Sequence, residues 1–205
     1  MKAKEFLKGK DLSMHSQTSR IFSCSNYGLK EFNIAELNVL KAEIILCKIL
    51  GAKELIFHLK QEKLTKKEKE IFKEVLKFAK KNKIELIYES NGYFIGETCL
   101  DILKEFPKLG YNLDLGHLNT AIENKTLGLS LDKFISLIKN RVVYIHAHNN
   151  RGKDTHESLD KGTLDWQYVL NMLNLSKIKK IILEVRIPKD IAKTKKLLEN
   201  YLKKK

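Results

Sequence analysis

The chain is expected to fold as an α/β protein of repeated βα units on a parallel sheet. Three observations predict this. Six short apolar runs, rich in Ile, Leu, Val and Tyr, do not alternate strictly with polar residues, as strands covered on both faces would not. Amphipathic helical patterns lie between them, in the order strand, helix, strand, helix. From His15 to Glu184 the spacing is roughly 34 positions per strand-to-strand step, an ordinary βα repeat.

The six strands are read at 11–16 (DLSMHS), 54–59 (ELIFHL), 84–90 (IELIYES), 111–116 (YNLDLG), 142–148 (VVYIHAH) and 179–185 (KKIILEV). A helix over 34–50 carries an apolar stripe and stops at Gly51, a natural C-terminal cap. Residues 65–81 are amphipathic, with Thr65 and Glu68 spaced as a capping box. Further helices are expected at 97–106, ending before Pro107, at 130–140 behind Ser130, at 165–174 behind Thr163, and at 189–203. No Gly/Ser/Pro linker interrupts the order, so residues 1–205 read as a single domain. A complete eight-stranded β/α barrel takes about 250 residues. Six units therefore imply either an open doubly wound sheet or a barrel short of two units.

Bulk composition narrows the function classes. Hydrophobic content of 43% and charged content of 31% describe an ordinary globular chain. No apolar run approaches the roughly 20 residues of a membrane span. The opening MKAKEFLKGKDLSM lacks the apolar core of a signal peptide. Cys24, Cys47 and Cys99 are scattered and odd in number, which points to reduced thiols and a cytoplasmic setting. The net charge of +14 is nearly all lysine, spread along helical faces, and reads as a solvated surface in preference to a dedicated nucleic-acid footprint.

The chemistry gathers at the C-terminal ends of the strands, where parallel α/β folds build their sites. The strands end in His15, His58, Glu89, Asp114 (with His117 just beyond), His146 and Glu184; Asp154 and His156 follow in the loop after strand five. Any one of these is unremarkable as a hydrogen-bonded rim residue. Buried carboxylates must be paired or metal-bound, however, and five of the six histidines fall on this rim. The pattern points to a metal site. His148 shares a face with His146 but reads as a loop residue behind the ligands. Its place is with Asn150 and Arg151 as a candidate substrate contact.

The motifs MHS, IFH, YESN, LDLGH, HAHNN, DTHESLDKG and LEV, in that order over roughly residues 11 to 200, resemble the xylose isomerase-like TIM-barrel superfamily. That superfamily includes sugar phosphate isomerases and epimerases as well as endonuclease IV (AP endonuclease family 2). The resemblance implies a TIM-barrel-like β/α repeat with about six of eight units, an incomplete barrel lacking the first two. It also implies a metal set of nine residues. His15, His58 and Glu89 would hold one ion; Glu89 would bridge to a second, shared with Asp114, His146 and Glu184; and His117, Asp154 and His156 would hold a third. Mixed His/carboxylate shells suit zinc first, and also Mn²⁺, Mg²⁺ or Co²⁺, with one to three ions.

Two activities follow from the resemblance. The first is metal-assisted isomerisation or epimerisation of a sugar or sugar phosphate, with Glu89 and Glu184 as the catalytic, proton-exchanging pair. The alternative is phosphodiester cleavage at abasic sites in DNA. A third reading is a non-catalytic fragment that needs a partner. The endonuclease branch is less well matched. Its wedging aromatic and apolar residues would fall at Thr18 and Ser19, its Asp after the strand-five His is Asn149, and its glycine-acid-glycine is Asp160-Lys161-Gly162. A barrel open at both edges would be covered by a dimer or a partner chain.

Overall fold

A computed structural model describes residues 5–16, 34–59, 63–92 and 95–205. The candidate wedge positions Thr18 and Ser19, and Cys24, lie outside the described residues. The chain divides into two compact units, Met1–Glu89 and Ser90–Lys205.

The first unit holds β1 (Ser13–His15), α1 (Ile34–Leu50), β2 (Glu54–His58), α2 (Lys66–Lys81) and β3 (Glu85–Glu89). Its strands are parallel, with His15 opposite Ile56 and His58 opposite Glu89. All of β2 is buried, as its unbroken apolar run requires. Helix α1 ends as expected. Gly51 takes a φ of +87°, and its N–H and that of Ala52 both bond the Cys47 carbonyl at 2.9 Å. The capping box of α2 is formed. Thr65 Oγ1 accepts from the Glu68 amide, and the Glu68 carboxylate accepts from the Thr65 amide at 2.6 Å. Phe72, Val75 and Ala79, at helical spacing, are its buried stripe.

The second unit holds α3 (Glu97–Glu105), β4 (Gly110–Asp114), α4 (Leu115–Glu123), α5 (Leu131–Ile138), β5 (Val142–Ala147), α6 (Trp166–Met172), a 3₁₀ turn (Leu175–Lys177), β6 (Lys180–Leu183) and α7 (Pro188–Leu202). β4, β5 and β6 are parallel neighbours, with Asp114 opposite His146 and Ala147 opposite Leu183. Ser130 caps α5 as read from the sequence; α6 is capped by Asp165, two residues later than the expected Thr163. Arg141 donates to the carbonyls of Leu103, Phe106 and Leu109, satisfying the chain end of α3 and the turn behind it.

The fold class is the one the sequence predicts, a β/α repeat with six parallel strands among the described residues, against eight in a complete TIM barrel. One element departs from the expected alternation. Residues 115 and 116, read as the end of strand four, open α4, so two helices separate β4 from β5. The reason is Asp114, whose carboxylate caps the helix and turns the chain out of the sheet. Cys47 and Cys99 are free and buried, and burial pushes their thiols up to about 11 and about 12. Among the described residues, no helix is long and apolar enough to cross a membrane.

Candidate metal centre

In the first unit, three strand ends deliver His15, His58 and Glu89, whose donor atoms lie within 4.8 Å of one another. Glu89 is buried, and both imidazoles face it. His15 Nε2 is 3.5 Å from Oε2, and His58 Nε2 is 3.7 Å from Oε1. The far nitrogen of each ring is tied to the backbone. His15 Nδ1 bonds the Ser16 carbonyl at 3.0 Å, and His58 Nδ1 bonds the Glu89 carbonyl at 3.1 Å. A carbonyl only accepts, so each Nδ1 carries the proton. With Nδ1 committed to a carbonyl, each ring aims Nε2 at a buried carboxylate, an arrangement that calls for a proton or a cation between them. The distances favour a cation. They exceed the roughly 2.8 Å of a charge-assisted hydrogen bond. They sit near the chord of about 3.4 Å between two ligands that each lie about 2.1 Å from a tetrahedral ion.

The second unit repeats the device with Asp154. His117 Nε2 and His156 Nε2 stand 3.7 and 3.4 Å from Asp154 Oδ2. Their Nδ1 atoms donate to the carbonyls of Ser90 at 3.0 Å and Glu184 at 2.8 Å. His117 is placed by α4, because the cap residue Asp114 accepts its amide at 2.7 Å. His156 and Asp154 ride on a loop closed by paired backbone bonds, each 3.0 Å, between Asn149 and Glu157. The Asn149 side chain anchors that loop to the carbonyls of Leu159 and Leu164. His156 sits in the left-handed region at φ +53°, rare for a residue with a side chain and typical of functional sites.

A further group joins the ends of β4 and β5 to Glu184, just past β6. His146 Nδ1 is 3.2 Å from Glu184 Oε1 and 3.7 Å from Asp114 Oδ2, and the three donor sets lie within 4.8 Å. Asp114 and His146 are almost wholly buried, whereas the Glu184 side chain keeps 29% of its surface. His148, fully buried, places Nε2 2.9 Å from Asp114 Oδ1 and 3.0 Å from Oδ2.

The electrostatics agree with this arrangement. Burial alone would raise the Asp114 carboxyl, but the imidazoles of His117, His148 and His146 around it, with the His148 hydrogen bond, outweigh it and hold it well below the usual range. Burial opposes ionisation of Asp154 too, and the His117 and His156 imidazoles that face it overcome that and lower it. His156 is raised, first by the Asp154 carboxylate that faces it. The donor chemistry fits a divalent ion of the zinc class, with imidazole and carboxylate ligands and ring nitrogens held from behind by carbonyls.

Of the remaining predicted residues, Arg151 is exposed. Asn150 is buried, and its amide donates to Gly116 O and Thr120 Oγ1 while its Oδ1 accepts from the Gly152 amide. The sequence reading missed the double use of Asp114 as helix cap and candidate ligand. The signal was an Asp followed three residues on by His, ahead of apolar residues at helical spacing. It also missed the contact of His148 with Asp114, which no spacing rule foretells.

The model of the xylose isomerase-like TIM barrel family matches residues 4–205. A search of curated protein sequences found no match. Among solved structures, a D-tagatose 3-epimerase-like protein superposes with a TM-score of 0.75 at 20% identity, over 98% of this chain and 80% of its own. The IolI protein with a bound zinc atom gives 0.71 at 16% identity, over 99% and 81%. Endonuclease IV from Thermus thermophilus gives 0.62 at 18% identity, over 98% and 79%. At these identities the superpositions establish the fold. The six βα units and the match over nearly the whole length place the chain in the xylose isomerase-like TIM barrel family.

Proposed function

We propose that this chain is a divalent-metal-dependent isomerase or epimerase acting on a sugar or sugar phosphate. The observation that carries the reading is the Asp114–His146–Glu184 group, two buried ligands beside one carboxylate that solvent and substrate can reach. Asp114, His146 and Glu184 would hold the ion, with zinc the first choice for this donor set. The likeness to a D-tagatose 3-epimerase-like protein and to zinc-bound IolI supports this choice. When bound, the metal supplies positive charge beside the substrate's carbonyl oxygen. The exposed carboxylate of Glu184 is the group that takes a proton from the carbon next to that carbonyl, and the family resemblance alone assigns Glu89 as the second proton-exchanging carboxylate. Exposed Arg151 stays in this reading as a substrate-side residue, whereas His148 and Asn150, read from the sequence as substrate contacts, are fully buried with their side chains bonded to Asp114, Gly116 and Thr120. A dimer or partner chain belongs to it as well, and sedimentation of the purified protein measures that.

The test is a panel of ketoses, aldoses and their phosphates assayed with zinc, manganese, cobalt or magnesium. Glu184→Gln and Glu89→Gln should each lower turnover at least ~100-fold. Retained turnover in both variants would remove the proton-transfer assignment.

A second reading has its own support. Glu89 and Asp154, each faced by two imidazoles, offer more ligands than one ion requires. That abundance favours a multi-metal phosphodiesterase acting on abasic DNA. Elemental analysis separates the two, since one bound metal per chain supports the isomerase and three support the phosphodiesterase. A duplex with an abasic-site analogue that stays uncut with zinc, manganese or cobalt ends the second reading.

A further inference from the structure

We propose that His148 is the positioning residue of the metal centre. Its Nε2–H holds the Asp114 carboxylate in the orientation a ligand needs, in a slot that exists because residue 116 is glycine. The inference rests on the metal-dependent reading above and deepens it.

Distance separates His148 from four of the five candidate imidazole ligands. His15, His58, His117 and His156 stand 3.4 to 3.7 Å from the carboxylates they face, too far for a strong hydrogen bond and close to the spacing of co-ligands. His148 Nε2 is 2.9 and 3.0 Å from the two oxygens of Asp114, a direct donated hydrogen bond. Those four rings are also braced from behind by backbone carbonyls, as ligand imidazoles usually are. The Nδ1 of His148 is buried and finds no hydrogen-bond partner among the described residues. A buried ring nitrogen left unpartnered is unfavourable, so packing alone does not explain a histidine here.

One arrangement would make His148 a ligand with His156 and Glu184, whose donor atoms also lie within 4.8 Å. Ring geometry argues against it. The His148 and His156 rings are stacked, 4.1 Å apart and 12° from parallel. A nitrogen lone pair lies in its ring plane, and two nearly parallel planes do not converge on one ion about 2.1 Å from both nitrogens. The stack instead lets His148 brace two elements of the centre at once, Asp114 at its Nε2 and the His156 ring across its face. Asp114 in turn caps the helix that carries His117.

Gly116 is the other half of the device. A Cβ built there would lie 1.9 Å from His148 Cε1 and 2.3 Å from Nδ1, so any larger residue must displace the ring. This accounts for a glycine in the first turn of α4, where it costs helix stability.

The experiment is zinc affinity measured by competition with a chromophoric chelator, with far-UV circular dichroism to follow folding. His148→Leu keeps bulk and removes the donor. His148→Gln places an amide N–H near the position of Nε2. The leucine variant should bind zinc ~10- to 100-fold more weakly. Glutamine should recover most of that loss, and Gly116→Ala should weaken binding in the same direction as leucine. A packing role would rank leucine above glutamine. Wild-type affinity in the leucine variant, or glutamine weaker than leucine, overturns the proposal. A wild-type protein that binds no zinc instead removes the metal reading on which it stands.

Discussion

At residue scale, the centre consists of carboxylates whose charge is stabilised by imidazoles, and this sets how the metal-free protein responds to pH. Asp114 and Asp154 titrate below the ordinary aspartate value of 3.8, so their contribution is present above that value and is lost as pH falls through the depressed range. His156 titrates above its ordinary 6.5, so its contribution is full below 6.5 and is lost as pH rises through the raised value. Thermal melts in chelator should therefore show lower stability on both sides of this window. Asp154→Asn should flatten the alkaline limb, because the partner that raises His156 is gone. With zinc the alkaline limb should vanish, since the metal takes the place of the proton on His156. The candidate ligands themselves were legible in the sequence, because strand ends can be located from apolar runs. The role of His148 was not. A residue two positions beyond a ligand on a strand shares its face, and nothing local says whether its nitrogen meets an ion or a carboxylate.

At the scale of elements, caps and stripes decide where the chain turns. Thr65 and Glu68 form their reciprocal bonds, so Thr65→Ala should cost about 1 kcal/mol, read as a lower urea midpoint with an unchanged slope. Helices α1, α2, α5 and α7 were legible to within about two residues, the usual fraying of boundaries. Helix α4 was not, because its first residue, Leu115, extends the pattern of β4 across Asp114 with no glycine or proline at the junction to mark the change. An apolar run cannot by itself tell a strand from the start of a buried helix. The switch depends on Asp114 turning its carboxylate back onto the amide of His117.

For the whole molecule, the proposed ion binding would be coupled to folding, since the candidate ligand sets draw on several strands and a loop that an unfolded chain does not hold together. Zinc at about 100 times its Kd should add ~2.7 kcal/mol. For a chain of this size that is a rise in Tm of about 5–10 °C. Differential scanning fluorimetry with zinc and with chelator measures it, and equal melting curves would count against a folded, high-affinity site. The sequence by itself determined the βα alternation, the caps that end its helices and the rim on which the acidic and imidazole groups stand. Those follow from periodicity and from interactions only a few residues apart. Tertiary structure alone decided which imidazole faces which carboxylate. The rings of His58, His117 and His156 are aimed by the carbonyls of Glu89, Ser90 and Glu184, which lie 31, 27 and 28 positions away in the chain. Contacts over such separations exist only once the strands are in register.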